Sequence, residues 1–151
     1  MKKRVLFICT HNSARSQMAE GIANALFGDK VQALSAGTEP TIVHPMAVEV
    51  MMEIGIDISG QRSKSVNEYV GVDFDIVVTV CDKAHEACPF FPGTKRYVHR
   101  SFEDPASSEA VLPEQLKKAF RTVRDEIKVW IGQELLSLLN EKEVRPEPPR
   151  F

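Results

Sequence analysis

What this sequence has little of narrows it first. Only three of its 151 residues are cysteine, an odd number at uneven spacing, so no disulfide framework is expected to hold it together. A chain of this length can bury a core without disulfides or a structural metal. Charge of either sign is not in excess: 19 Lys and Arg against 21 Asp and Glu leave a formal charge of −2, which argues against a nucleic-acid partner. Basic residues cluster locally in "KRYVHR", which reads as a strand edge with solvated charges. No apolar run is long enough to span a membrane. The opening "MKKR" followed by "VLFIC" imitates a signal peptide only briefly, because the apolar run is short and no cleavage-like site follows. These absences lead to the expectation of a cytoplasmic protein whose thiols are reactive or simply buried. With no internal repeat, a single domain is expected over residues 1–143. The proline-rich, charged "VRPEPPRF" reads as a flexible C-terminal tail over 144–151.

What is present alternates. Apolar, β-branched runs are interleaved with amphipathic stretches, the pattern of a parallel sheet covered by helices. "RVLFIC", "VQALSAG", "FDIVVTVC" and "KRYVH" read as four strands, the third being the most apolar and therefore central. "SQMAEGIANALFG" reads as a helix closed by Gly28. "HPMAVEVMMEIGI" reads as a second helix with Pro45 at its start, where a missing N–H does no harm. From Pro113 to Asn140 a long helix is expected, its apolar stripe running through Leu116, Phe120, Val123, Ile127, Trp130, Ile131, Leu135 and Leu138. That stripe is core packing. The fold class is thus α/β, a three-layer α/β/α arrangement around a four-stranded parallel sheet.

The chemistry concentrates in "CTHNSARS", residues 9–16. In parallel α/β folds ligands bind beyond the carboxyl ends of the strands, and Cys9 stands at such an end with a helix following its loop. Successive loop N–H groups, those of Thr10, His11, Asn12, Ser13 and Ala14, can converge on an anion there, aided by the helix dipole. Arg15 adds a planar fork suited to two oxygens. The same positive field favours Cys9 as thiolate. Ser13 and Ser16 can donate to its sulfur, and Asn12 can hold the backbone in an unusual conformation. A lone cysteine would read as a small buried hydrophobe. The Cys-x5-Arg-Ser spacing on a strand–loop–helix points instead to a nucleophile aimed at a tetrahedral oxyanion.

This loop resembles the signature of the low-molecular-weight protein tyrosine phosphatase fold, and "CTHNSARSQMAEG" more closely resembles the thioredoxin-coupled arsenate reductases built on it. The family pattern often has glycine at His11 and cysteine at Ala14. Neither position is the nucleophile, and His11 stands to narrow or charge the pocket mouth. The resemblance implies a general acid in an Asp-Pro loop late in the chain, and Asp104 in "SFEDPASSE" holds the only Asp-Pro pair, with Glu103 as fallback. A carboxyl held near an anionic ligand and a thiolate would tend to stay protonated. Tyrosine-specific phosphatases usually carry aromatic residues after this motif, whereas here "ASSEAV" follows the proline-containing pair with none.

Two further cysteines bear on the choice between hydrolysis and reduction. Cys81 ends the third strand, on the same sheet edge as Cys9. Cys88 lies seven residues further on. Were the stretch between them helical, its rise would part the Cα atoms by roughly 10 Å, while a disulfide needs them within about 7 Å. Joining them requires that segment to be remade. By resemblance, Cys9 attacks arsenic, Cys81 releases arsenite by forming a disulfide with Cys9, and Cys88 takes over Cys81 for thioredoxin to reduce. A zinc site from Cys81, His85 and Cys88 lacks a fourth ligand and a usual spacing, so no metal is expected. Family members often bind potassium through residues matching Asn12, Glu20 and Ser35 plus an aspartate where Lys64 stands here. An ammonium there can pair with Glu20 and take over the ion's task. His44 is expected to cap or fill a helix start, and His99 to sit at a strand end.

The resemblance thus implies a monomeric arsenate reductase with no tightly bound cofactor, thioredoxin as electron donor and phosphate or sulfate as mimics of its oxyanion. Two alternatives stay open: an aryl-phosphate phosphatase of the same fold, and a non-catalytic oxyanion binder or thiol redox sensor.

Overall fold

The computed structural model describes residues 2–87, 91–107 and 112–140. Four strands form one parallel sheet: β1 (Lys3–Cys9), β2 (Val31–Gly37), β3 (Ile76–Thr79) and β4 (Arg96–His99), in the order β2-β1-β3-β4. All residues from Val5 to Cys9 are buried, as are all four of β3. Strands buried on both faces need helices on both faces, which the continuous apolar runs foretold. Here α1 (Arg15–Phe27) packs on β1, β2 and α4 (Pro113–Trp130), α2 (Pro45–Met52) packs on α4, and α3 (Asp82–Ala87) packs on β1 and β3. The fold class is as expected. Among the described residues no helix is long and apolar enough to cross a membrane.

The sheet order places the site. The chain leaves β1 in one direction to make β2 and in the other to make β3, so the crevice between the carboxyl ends of β1 and β3 is the topological switch point. Ile8 pairs with Thr79, and the Val80 N–H donates to the Ile8 carbonyl at 2.9 Å. Cys81, one residue later, is thereby carried to the end of β1. Beyond β4 the chain stays alongside, with Arg100 and Phe102 donating to the carbonyls of Thr79 and Val80 at 2.9 and 3.0 Å. That brings Asp104 to the same edge.

Several element ends differ from their expected places. β3 stops at Thr79, two residues short of Cys81. α2 stops at Met52 although apolar Ile54 and Ile56 continue the pattern, because Gly55 takes a φ of 78° and turns the chain. The long C-terminal helix is interrupted by a π-helical turn, Ile131–Leu135, before α5 (Leu136–Asn140). Its stripe is core as expected: Phe120, Val123, Ile127, Trp130, Ile131 and Leu135 are buried, with Leu116 and Leu138 packed against them. Each such side chain stabilises the fold by about 1.5–3 kcal/mol. His44 caps α2, its Nδ1 accepting from the Met46 N–H at 3.0 Å while its ring lies 4.7 Å from that of Phe120. Glu53, just after α2, bonds Arg121 and Arg124 of α4, and these, Arg121 first, hold its carboxyl down at about 2. The tail over 144–151, Cys88 and residues 108–111 of the "ASSEAV" stretch lie outside the described residues.

Candidate active site

β1 ends on Cys9, and six residues later Arg15 opens α1. Between them the loop is shaped by Asn12, which adopts a φ of 48°, a left-handed conformation that asparagine tolerates better than most residues. Its buried amide is a hub. Nδ2 donates to Ser16 Oγ at 2.8 Å and Ser35 Oγ at 2.9 Å, while Oδ1 accepts from Gln17 Nε2 and the Lys64 N–H, both at 2.9 Å. Gln17 Nε2 also donates to the Asn12 carbonyl at 3.0 Å. Gly37 lies so close that an added Cβ would sit 2.6 Å from the Thr10 carbonyl, so only glycine lets β2 end there.

The thiol of Cys9 is 2% exposed and lies 2.8 Å from Ser16 Oγ. Of the two serines expected to serve that sulfur, only Ser16 does. Ser13 makes no bond to it, and its carbonyl instead accepts the His44 N–H at 2.9 Å, which fixes the loop to the start of α2. The N–H groups of His11, Asn12, Ser13 and Ala14 donate to no protein acceptor among the described residues. Free amides in a loop that opens a helix are the donors an oxyanion site needs. His11 is exposed at the rim, its Nδ1 3.0 Å from the Glu39 carbonyl.

An open pocket of about 420 Å³ lies over this edge, lined by Thr10, His11, Arg15, Cys81 and Asp104 among others; Cys9 is buried and is not part of the lining. Arg15 donates through one terminal nitrogen to the Phe102 carbonyl at 3.1 Å, and the other lies 3.6 Å from Asp104 Oδ2. Asp104 also accepts from the Ala106 N–H at 3.0 Å, capping the turn Pro105–Ser107. The structure therefore brings Arg15 and Asp104 together, as the spacing alone could not show. Cys81, 5% exposed, has its sulfur 3.3 Å from Thr10 Oγ1 and 3.4 Å from the Ala84 amide nitrogen. The second thiol thus stands against the residue that follows the first.

Behind the loop, Asn12, Glu20, Ser35 and Lys64 meet. Ser35 Oγ donates to Glu20 Oε1 at 2.6 Å. Lys64 Nζ lies 3.6 Å from the same oxygen and donates to the Arg62 carbonyl at 2.8 Å. Burial pushes the Lys64 ammonium below its usual range, and Glu20 opposes that push. An ammonium already paired with the carboxylate of this set leaves it a poor fit to a potassium ion. Three contributors were not read from the sequence: Gln17, Ser63, whose hydroxyl donates to the His11 carbonyl at 2.8 Å, and the Phe102 carbonyl. A buried amide on the first turn of a helix was the one available signal, and only for Gln17.

The fold and this loop define a class. Residues 4–145 match the family model for low molecular weight phosphotyrosine protein phosphatases, and the chain belongs to that family. Within it the similarity runs to arsenate reductases. One from Halalkalibacterium halodurans is 47% identical over 126 residues, covering 83% of this chain and 90% of that protein. A solved arsenate reductase in its phosphate-binding state superposes with a TM-score of 0.77 at 36% identity, covering 91% of this chain and 98% of the other. A thioredoxin-dependent arsenate reductase from Corynebacterium glutamicum superposes at 0.64 with 27% identity, covering 90% of this chain and 63% of that one.

Proposed function

We propose that this protein reduces arsenate to arsenite, with Cys9, Cys81 and Cys88 as a thiol relay and thioredoxin as the reductant. The observation that carries the reading is the Cys81 sulfur at 3.3 Å from Thr10, since hydrolysis needs one thiol at this edge and reduction needs a second. The relatives named arsenate reductases support the substrate, and the thioredoxin-dependent one supports the reductant.

In this reading the amides of residues 11–14 and the fork of Arg15 hold arsenate. The Cys9 thiolate attacks arsenic, forming a sulfur–arsenic bond as one oxygen departs with a proton from Asp104. Ser16 steadies the sulfur before attack. The Cys81 thiolate next attacks the Cys9 sulfur. The sulfur–arsenic bond breaks with its electron pair left on arsenic, which falls from As(V) to As(III) and leaves as arsenite, while two thiols become the Cys9–Cys81 disulfide. Cys88 then attacks Cys81, freeing Cys9 as thiolate, and thioredoxin's dithiol reduces the Cys81–Cys88 bond. Residues 82–87 are helical, so that bond requires α3 to unwind. The reading also makes potassium dispensable, Lys64 supplying the positive charge beside Glu20.

Arsenate turnover coupled to thioredoxin, its reductase and NADPH tests the proposal. The parent chain turns over, and Cys88→Ser stalls after the first disulfide. A Cys88→Ser variant as active as the parent overturns the relay. Hydrolysis of an aryl phosphate with no arsenate turnover would instead establish the phosphatase.

A further inference from the structure

The segment that must be remade in that relay carries side chains the chemistry does not use. Asp82, the first residue of α3, places Oδ1 2.9 Å from His99 Nε2 at the end of β4. His99 is fixed on its other sides. Its Nδ1 lies 2.7 Å from Thr79 Oγ1 at the end of β3, and its ring stacks on that of His85 with centroids 4.1 Å apart. Thr79 Oγ1 is also 3.5 Å from His85 Nδ1. A carboxylate only accepts, so the proton of His99 sits on Nε2 and the ring's orientation is set. Ser101 and Glu86 also face this cluster, and on the opposite flank Lys83 reaches Glu39 at 3.3 Å.

A six-residue helix cannot hold itself in water. What holds α3 is the buried Ala84 and these side-chain ties. The nearest tie to the reacting sulfur is Asp82, adjacent in sequence to Cys81. Asp82 is 81% exposed and would be worth little as a plain surface pair. His99 is already immobilised by Thr79 and the stack, so the pair costs side-chain entropy on the aspartate alone.

We propose that His99 is a positioning residue for Cys81: braced by Thr79 and His85, it clasps Asp82 and so keeps the first turn of α3, and with it the Cys81 sulfur, seated against Thr10. Resting on the relay reading, the clasp also has to part before Cys81 can join Cys88. The partners of this tie are 17 residues apart and on different elements, so it acts as a latch on the segment; Asp82 stands at the edge of the pocket and makes no contact with the Cys9 sulfur.

The test uses the full reduced chain. It is treated with limiting iodoacetamide over a series of pH values, and the peptides bearing Cys9 and Cys81 are quantified separately by mass spectrometry. Rates are compared on the alkaline plateau, where each thiol is fully thiolate. His99→Ala and Asp82→Ala are each expected to raise the Cys81 rate about three- to tenfold, the scale of one net hydrogen bond. The double variant should gain nothing further, because both remove the same contact. Cys9 should be unchanged, and His99→Gln, which keeps a side-chain N–H donor, should fall between parent and alanine. Additive effects in the double variant, an unchanged Cys81 rate in either single variant, or an equal rise at Cys9 overturns the proposal. If His99→Ala does not fold, His99→Gln takes its place in the cycle. Alkylation reads no arsenic chemistry, so the clasp and the relay can fail separately: the relay falls on Cys88→Ser turnover, the clasp on these rates.

Discussion

The two described thiols are buried almost equally, yet the regions holding them are built by different means. Around Cys9 the restraints are interior: a left-handed Asn12 whose amide makes four bonds, a glycine pressed against the loop backbone, and Gln17 reaching back from α1. Around Cys81 they are peripheral: one hydroxyl, one weak amide contact and side chains that reach off a helix of six residues. A loop proposed to present the same donors to every incoming anion gains from preorganisation. A segment proposed to unwind and re-form gains from ties that are individually small, since each is on the scale of what thermal opening can break.

The sharpest way to break that contrast is to remove each thiol in turn and assay aryl-phosphate hydrolysis beside arsenate reduction. Cys9→Ser is expected to lose both activities to background, a fall of at least about a thousandfold, on the scale of losing a covalent nucleophile. Cys81→Ser should lose reduction while retaining the weak hydrolysis that needs only the loop, Arg15 and Asp104. Hydrolysis lost equally in both would show that the two regions are not separable.

Stability comes next in size. Asn12→Ala removes the acceptor of the Lys64 N–H, one of the acceptors of the Gln17 amide and one donor each to the Ser16 and Ser35 hydroxyls, and places alanine at a positive φ. A loss of about 2–4 kcal/mol is expected in urea denaturation. Asn12→Gly, which removes the bonds but not the conformational freedom, should recover about 1 kcal/mol of it. Asp82→Ala should cost far less, because the clasp restrains only α3.

Lys64 gives a smaller and more specific effect. With its ammonium beside Glu20, exchanging sodium for potassium should leave the melting temperature and turnover of the parent unchanged. Lys64→Asp places two carboxylates at this spot and should make stability respond to potassium above sodium. A potassium-specific rise in the parent would contradict the substitution of ion by ammonium.

How much of this was readable in advance follows from how local each feature is. Strands β1 and β3 announce themselves because a segment covered on both faces is apolar at every position. The Cys9-to-Arg15 loop is equally legible, since strand end, small polar residues and helix start lie within eight residues. His44 as a cap needed only Pro45 beside it. What stayed hidden depends on pairs remote in sequence, Arg15 with the Phe102 carbonyl and Asp82 with His99, while the meeting of Lys64 with Asn12 and of Asp104 with the Cys9 loop came from the resemblance and not from spacing. The end of α2 was misplaced because Ile54 and Ile56 keep the apolar pattern after Gly55 has already turned the backbone. Ser13 was credited with a bond that only Ser16 makes, because spacing gives proximity to a sulfur but not which side chain faces it.

The smallest expected effect separates the two regions by acidity. Burial first, and His99 second, holds the His85 imidazole below its ordinary value, while Asp82 and Glu86 partly offset them. Burial likewise lowers His44, against the pull of Asp104. For a histidine with a lowered value in the fold, the unfolded chain takes up the proton first as pH falls. Stability is therefore fully present above the ordinary imidazole value of about 6.5 and declines below it. Protonating His85 sets two rings in contact at 4.1 Å in competition for charge, which loosens α3; protonating His44 removes the lone pair that caps α2. Amide exchange followed from pH 7.5 to pH 5.5, corrected for intrinsic rates, should then show α3 and the first turn of α2 losing protection by a few-fold. The first turn of α1, held by Asn12 and Gln17, should lose none. Equal loss of protection in α1 would mean that the region around Cys81 is no more loosely held than the loop around Cys9.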